Sequence, residues 1–176
     1  MIISVDELKM RINTGEIDDS TISRQLGAIE NVIRTYCNNN FQNRNIRFIA
    51  PSECGILNNA SPFIRIGDTV EITQSGVNDG IYTVIDNCGG YTSLNKELFD
   101  VPFNMVTKVE YPSGVVDVAV DLFRWKQDFG AKIGIKSESE TLSRHSQSIT
   151  YEDSNNLFMG YPTGILSGLS LWGRAR

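Results

Sequence analysis

The spacing of apolar residues changes period twice along this chain, and that double switch limits its fold more than any other feature. Between Asp18 and Tyr36 the apolar positions are Ile22, Leu26, Ile29, Ile33 and Tyr36, at intervals of 4, 3, 4 and 3. This is the seam of a helix packed against other helices. After Arg44 the short stretches Ile46–Ile49, Thr69–Thr73, Ile81–Asp86 and Met105–Tyr111 are rich in β-branched and aromatic residues, and Val70 and Ile72 alternate with Glu71 and Thr73. Period-two alternation predicts half-buried strands. From Val115 to Phe129 the helical period returns, with Val115, Val116, Val118, Ala119, Leu122, Phe123, Trp125 and Phe129 placing apolar groups almost all round. A helix of that kind belongs at the centre of a bundle.

Punctuation agrees with the periods. Ser4 and Glu7 have the spacing of a capping box, and Val5, Leu8 and Ile12 give the first helix its stripe before Asn13-Thr14-Gly15 ends it. The second helix starts at Asp18-Asp19-Ser20, where carboxylates suit the positive end of the macrodipole, and stops at Asn38-Asn39-Asn40. Asp79-Gly80 and Asn87 to Gly90 read as tight turns, and the stretch from Pro51 to Pro62 reads as a loop. Pro112-Ser113 caps the third helix, and Gly130 and Gly134 end it. The expected fold is therefore α+β. Residues 1–45 and 112–136 form a small helical bundle, 46–111 an inserted antiparallel β-barrel-like domain, and 137–176 a polar tether with an extended C-terminal docking arm.

Charge narrows the function classes. Sixteen basic against twenty-one acidic side chains give a net charge of −5, and a protein that grips nucleic acid by its phosphates needs clustered Lys and Arg instead. Cys37, Cys54 and Cys88 are odd in number and lack C-x-x-C spacing, so neither a disulfide framework nor a zinc site is expected. Cys37 reads as a small buried hydrophobe. MIISVDELKM turns charged too early for a secretory h-region, and no apolar run reaches the ~20 residues that span a bilayer. A cytoplasmic protein is expected, and Asn59-Ala60-Ser61 is read as a chance sequon.

The chain's single histidine, His145, stands between Arg144 and Ser146 with Ser143 close by. A nucleophilic site needs a base, an orienting carboxylate and rigid geometry. Glu138, Glu140, Glu152 and Asp153 are near in sequence, but no G-x-S-x-G elbow accompanies them. The segment reads as solvated chain. Asp18-Asp19 and Glu152-Asp153 lack calcium-loop spacing, and NCGGY at 87–91 lacks the following helix that cradles phosphate. No catalytic residue, cofactor or metal is expected.

The C-terminal LFMGYPTGILSGLSLWGRAR is more informative. Gly160, Gly164 and Gly168 recur every four residues, while Ile165, Leu169 and Trp172 share a helical face with Leu166 beside them. So much glycine makes a short helix marginal on its own. Its apolar stripe has to be covered, either by its own domain or by another subunit or partner, and small residues would let backbones approach closely there.

Three stretches bring a family into view: VDELKMRI with TISRQLGAIENVIRTYCNNNF, then IKSESETLSRHSQSITY, then GYPTGILSGLSLWGRAR. In order and spacing the chain resembles the head–tail connector (adaptor, or head-completion) proteins of long-tailed bacteriophages. The resemblance implies a non-enzymatic ring of about twelve copies, seated under the portal protein in the virion neck after assembly in the host cytoplasm. It implies a stopper or tail-completion protein below, no membrane, and double-stranded DNA passing through the channel without sequence-specific binding. Carried onto this chain, the portal-docking residues are Tyr161, Ile165, Leu166, Leu169, Trp172, Arg174 and Arg176, with 137–156 as the reaching segment. The family's simplest members lack an insertion like 46–111, which is similar to small barrels of assorted phage structural proteins. Decorating the ring or touching the capsid are the roles it suggests. Two other readings stand beside this one: a monomeric module whose β domain recognises a host-surface ligand such as a sugar, and, third, an enzyme built on His145.

Overall fold

The computed structural model of the protein describes residues 1–130, 137–142, 145–150 and 156–174. These residues form an α+β molecule of two compact units. One comprises Met1–Ile2 with Asn39–Pro112, and the other Ile3–Asn38 with Ser113–Arg176.

The first unit is a closed six-stranded antiparallel barrel. Its strands are β1 (Gln42–Glu53), β2 (Ile56–Leu57), β3 (Thr69–Thr73), β4 (Gly80–Cys88), β5 (Tyr91–Leu94) and β6 (Val101–Val109). They run in the order β1-β2-β5-β4-β3-β6, and β6 closes onto β1 with Ile49 opposite Met105. Inward residues Ala50, Leu57, Ile64, Val70, Ile72, Val84, Leu94, Leu98 and Val106 fill the interior. A barrel this small has room for side chains and little else. β3 is buried on both faces. Val70 and Ile72 point in, while outward Thr69 meets the Met1 amine and Glu71 accepts hydrogen bonds from Asn40 Nδ2 (2.8 Å) and Gln42 Nε2 (2.9 Å). The outward polar groups of that strand are thus satisfied by neighbouring chain rather than water.

Two strands lie where the sequence reads otherwise. β2 falls inside the expected Pro51–Pro62 loop, and β5 follows the Asn87–Gly90 turn. Cys54 (φ 53°) and Gly55 (φ 82°) reverse the chain between β1 and β2, and Leu57 then pairs with both Ser52 and Thr92. Two residues are too few to show any period, but without them the sheet would stay open.

In the second unit the expected helices are α1 (Val5–Arg11), α2 (Asp19–Cys37) and α3 (Ser113–Phe129). Ser4 Oγ accepts from the Glu7 amide at 3.1 Å, as its capping-box position predicts. Asn38 takes the left-handed conformation (φ 47°) that closes α2. Ile22, Leu26, Ile29 and Ile33, the seam read from the sequence, are all fully buried, and so are Leu122 and Phe123 of α3. Arg11 of α1 reaches Asp117 of α3 at 2.9 Å while pairing with Glu7 one turn earlier.

The expected polar tether contains paired backbone. β7 (Ser137–Leu142) and β8 (His145–Thr150) form an antiparallel hairpin with Leu142 opposite His145 at its tip. Polar composition does not prevent pairing when Ser and Thr alternate with Glu138 and Glu140 in β7 and with Gln147 and Ile149 in β8. Beyond it come β9 (Leu157–Phe158), β10 (Tyr161–Pro162), the short helix α4 (Thr163–Leu166) and a 3-10 run, Ser167–Trp172.

Candidate functional site

The C-terminal segment is the feature to which the sequence reading assigns function, and it is seated on its own helical unit. Tyr161, Leu166 and Leu169 are buried there, the last two completely. Tyr161 stacks obliquely on Trp125 of α3, with ring centroids 6.0 Å apart, and its hydroxyl accepts from Lys126 Nζ at 3.3 Å. Phe158 meets Tyr36 of α2 edge to face at 5.4 Å. Cys37 Sγ donates to Leu169 O at 3.9 Å, and the Arg174 amide donates to Cys37 O at 2.8 Å.

Of the two covers that the sequence left open, the structure shows the segment's own unit. The apolar stripe is covered, and α2 and α3 cover it. A run of ten helical residues that includes Gly164 and Gly168 cannot hold its shape in water, so it takes its shape from the groove it fills. Of the expected docking residues, Tyr161, Leu166 and Leu169 face inward, Ile165 and Trp172 are half-buried, and Arg174 is exposed. Arg176 lies outside the described residues. The outward side carries two side chains that the sequence reading passed over, Leu171 at 86% exposure and Met159 at 60%. A helical wheel could have shown Leu171 opposite Leu169, but only the packing decides which of the two faces water.

The glycine repeat has a different role from the one its spacing suggests. Gly160 (φ 82°) follows Met159 (φ 50°) in the turn between β9 and β10, a left-handed pair that suits a tight hairpin. Gly164 has nothing within 4 Å of where a Cβ would stand, and Gly168 would meet Val118 Cγ2 at an ordinary 3.6 Å. The close approach is made by Gly114 of α3, where a Cβ would lie 2.6 Å from Trp172 Cη2.

The remaining candidates are quickly placed. His145 and Ser146 open β8, and Ser143, Glu152 and Asp153 lie outside the described residues. Asp18 caps α2, accepting from the Ser20 hydroxyl and from the Thr21 amide at 2.9 Å, and these bonds hold its carboxyl down at about 2. Its neighbour Asp19 pairs with Lys9. Both acids serve the helix terminus. Cys37 is buried and its thiol is pushed up by desolvation, while exposed Cys88 is pushed up by its hydrogen bond to Asp86 and by that carboxylate's charge. Neither is an activated nucleophile. Among the described residues no three His, Cys, Asp or Glu side chains converge as metal ligands, and no helix is long and apolar enough to cross a membrane.

On the barrel, an open depression of about 350 Å³ is lined by Pro51, Ser52, Glu53, Asn58, Asp100 and Val101. Beside it Asn78, 2% exposed, donates to Phe99 O (2.9 Å), Asn104 Oδ1 (3.1 Å) and Ser52 Oγ (3.3 Å), and accepts from the Phe99 amide. This network is satisfied within the unit and ties three chain segments together. The outside of the barrel exposes Phe63, Ile66, Ile85 and Phe99.

No family model matches the chain, and no curated protein matches it in sequence. The likeness to connector proteins therefore rests on the stretches quoted above.

Proposed function

We propose that the protein is a non-enzymatic structural adaptor of a phage neck. It joins a homo-oligomeric ring of about twelve copies under the portal protein, leaves a channel for double-stranded DNA, and offers its lower side to a stopper or tail-completion protein. The observation that carries this reading is the two-sided segment 156–174. Its inner side (Tyr161, Leu166, Leu169) is held by α2 and α3, and its outer side presents Leu171 and Arg174. An exposed leucine three residues from an exposed cation, on a segment held in place by its own helical unit, suits protein–protein docking better than solvation. The acidic balance of the chain suits a conduit that does not retain its cargo.

Leu171→Glu combined with Arg174→Glu tests the reading without disturbing the buried side. Surface changes of this kind shift stability by only about 0.5 kcal/mol. The variant should keep its thermal transition yet bind purified portal rings at least about tenfold more weakly, the order expected when a docking contact is reversed in charge. Unchanged portal binding would remove the segment from the docking site.

The module reading keeps one specific observation, the exposed Phe63, Ile66 and Ile85 on the barrel. Because the interior is filled, a host-surface ligand would have to be taken on this outer face. Glycan binding with no ring seen by electron microscopy would favour it over the adaptor.

A further inference from the structure

The two ends of the barrel carry different side chains, and at each end some of them have no use inside the unit. Where β1 finishes and β6 begins, Glu53 and Asp100 border the open depression, with Pro51 and Pro102 in its wall. Glu53 accepts from Asn58 Nδ2 at 3.0 Å, but neither carboxylate has an ion-pair partner among the described residues. Phe99 stands beside Asp100 at 70% exposure. This rim is fixed in place. The Phe99 amide donates to Asn78 Oδ1 at 2.9 Å, and Phe99 O accepts from Ser52 Oγ at 2.6 Å. The Val101 amide in turn donates to Ser52 Oγ at 3.2 Å.

The opposite end is marked by the loop before β3, which leaves Phe63, Arg65 and Ile66 exposed. Asn87 Nδ2 pins that loop by donating to Ser61 O (3.0 Å) and Ile64 O (2.8 Å), and the Arg65 amide donates to Asp68 Oδ2 at 2.8 Å. The Arg65 guanidinium has no ion-pair partner among the described residues. β4 spans the distance between the two ends. It runs from Gly80, next to Asn78, to the neighbourhood of Asn87, and seven residues at ~3.3 Å each set the ends roughly 23 Å apart. A closed barrel cannot bring its own two ends together. A second copy can.

We propose that the barrels of neighbouring copies join head to tail, with Arg65 of one copy entering the Glu53–Asp100 depression of the next while Phe63 and Ile66 pack against Phe99. A guanidinium suits the site because it pairs with carboxylates through a planar fork and also lies flat on an aromatic ring. Both surfaces are held by hydrogen bonds before they meet, so little ordering is required on contact. The contact uses two different patches of one chain, and so it propagates from copy to copy and closes into a ring where the rotation allows. So few side chains make a weak contact between two free copies, which becomes firm when several copies are linked. It involves neither the C-terminal segment nor the portal, so it and the docking reading above can fail separately.

Charge exchange on the full chain, followed by sedimentation velocity without portal, tests the contact. Wild type should associate in a concentration-dependent way. Arg65→Glu alone, and Glu53→Arg with Asp100→Arg, should each associate at least about tenfold more weakly, as expected when a charge pair is made repulsive. All three positions are exposed, and the thermal transition should stay within a degree or two of wild type. Mixing the two variants should restore association, because each supplies the surface that the other needs. One chain carrying all three substitutions should associate with itself again. A wild type that stays monomeric up to about 1 mM would overturn the proposal. So would association that survives both reversals, or reversals that neither the mixture nor the triple variant rescues.

Discussion

Asp18 shows how much one side chain at a chain reversal can do. Its carboxylate takes up the Thr21 amide, which the first turn of α2 leaves without a partner, and the Ser20 hydroxyl. Both bonds favour the ionised form, so its pKa falls from 3.8 to about 2. A carboxyl with a lowered folded-state pKa contributes stability that is present above its unfolded value and lost as pH falls through the folded one. Asp18→Ala should therefore melt below wild type at pH 7, and the gap should close between about pH 4 and pH 2. A gap that persisted at pH 2 would point to packing instead of charge. Asn78 and Gly114 are opposite cases of legibility. Asn78-Asp79-Gly80 is readable as a turn from its residue types alone. That Asn78 also bridges Phe99, Asn104 and Ser52 depends on residues 21 to 26 positions away, and no local pattern encodes it. Nothing beside Gly114 in the sequence announces Trp172.

Among the elements, α1 and α2 were legible from a stripe of 3.6 period and α3 from a long run that is apolar almost all round, each with a recognisable start. β3 and β4 were legible because they alternate and end in glycine turns. β2 and β5 were not, since their lengths are below any period and their pairing is decided by the closing of the barrel. The C-terminal segment was legible as apolar and glycine-rich, but composition alone does not tell self-docking from partner docking. Leu169 measures how firmly it is seated. Leu169→Ala leaves a cavity at a fully buried site, and the expected loss is about 2–4 kcal/mol in urea unfolding. A loss below about 1 kcal/mol would mean that the segment lies outside the cooperative core of its unit.

At the level of the whole molecule, the chain leaves the helical unit at Asn38, builds a barrel, and returns at Ser113. The barrel has its own filled interior and its own closing strand pair, so it meets the requirements of an independent folding unit. A fragment spanning residues 39–112 should give a β-type circular dichroism spectrum and a single thermal transition. It should melt somewhat lower than in the full chain, because Thr69 loses the Met1 backbone that covers it. An unfolded fragment would show that the insertion depends on the helices for its stability.

By itself the sequence determined the class of the fold, the identity and order of α1 to α3, the presence of a β region between α2 and α3 and the apolar character of the C-terminal stripe. These follow from period, caps and turn residues, all local properties of the chain. Tertiary structure alone decided that β2 and β5 are the strands that complete the expected barrel, that Asn78 is a buried bridge, and that the C-terminal stripe is sheathed by α2 and α3 with Trp172 against Gly114. The physical reason is common to all three. Burial and close approach belong to pairs of surfaces, and the two members of each pair lie dozens of residues apart.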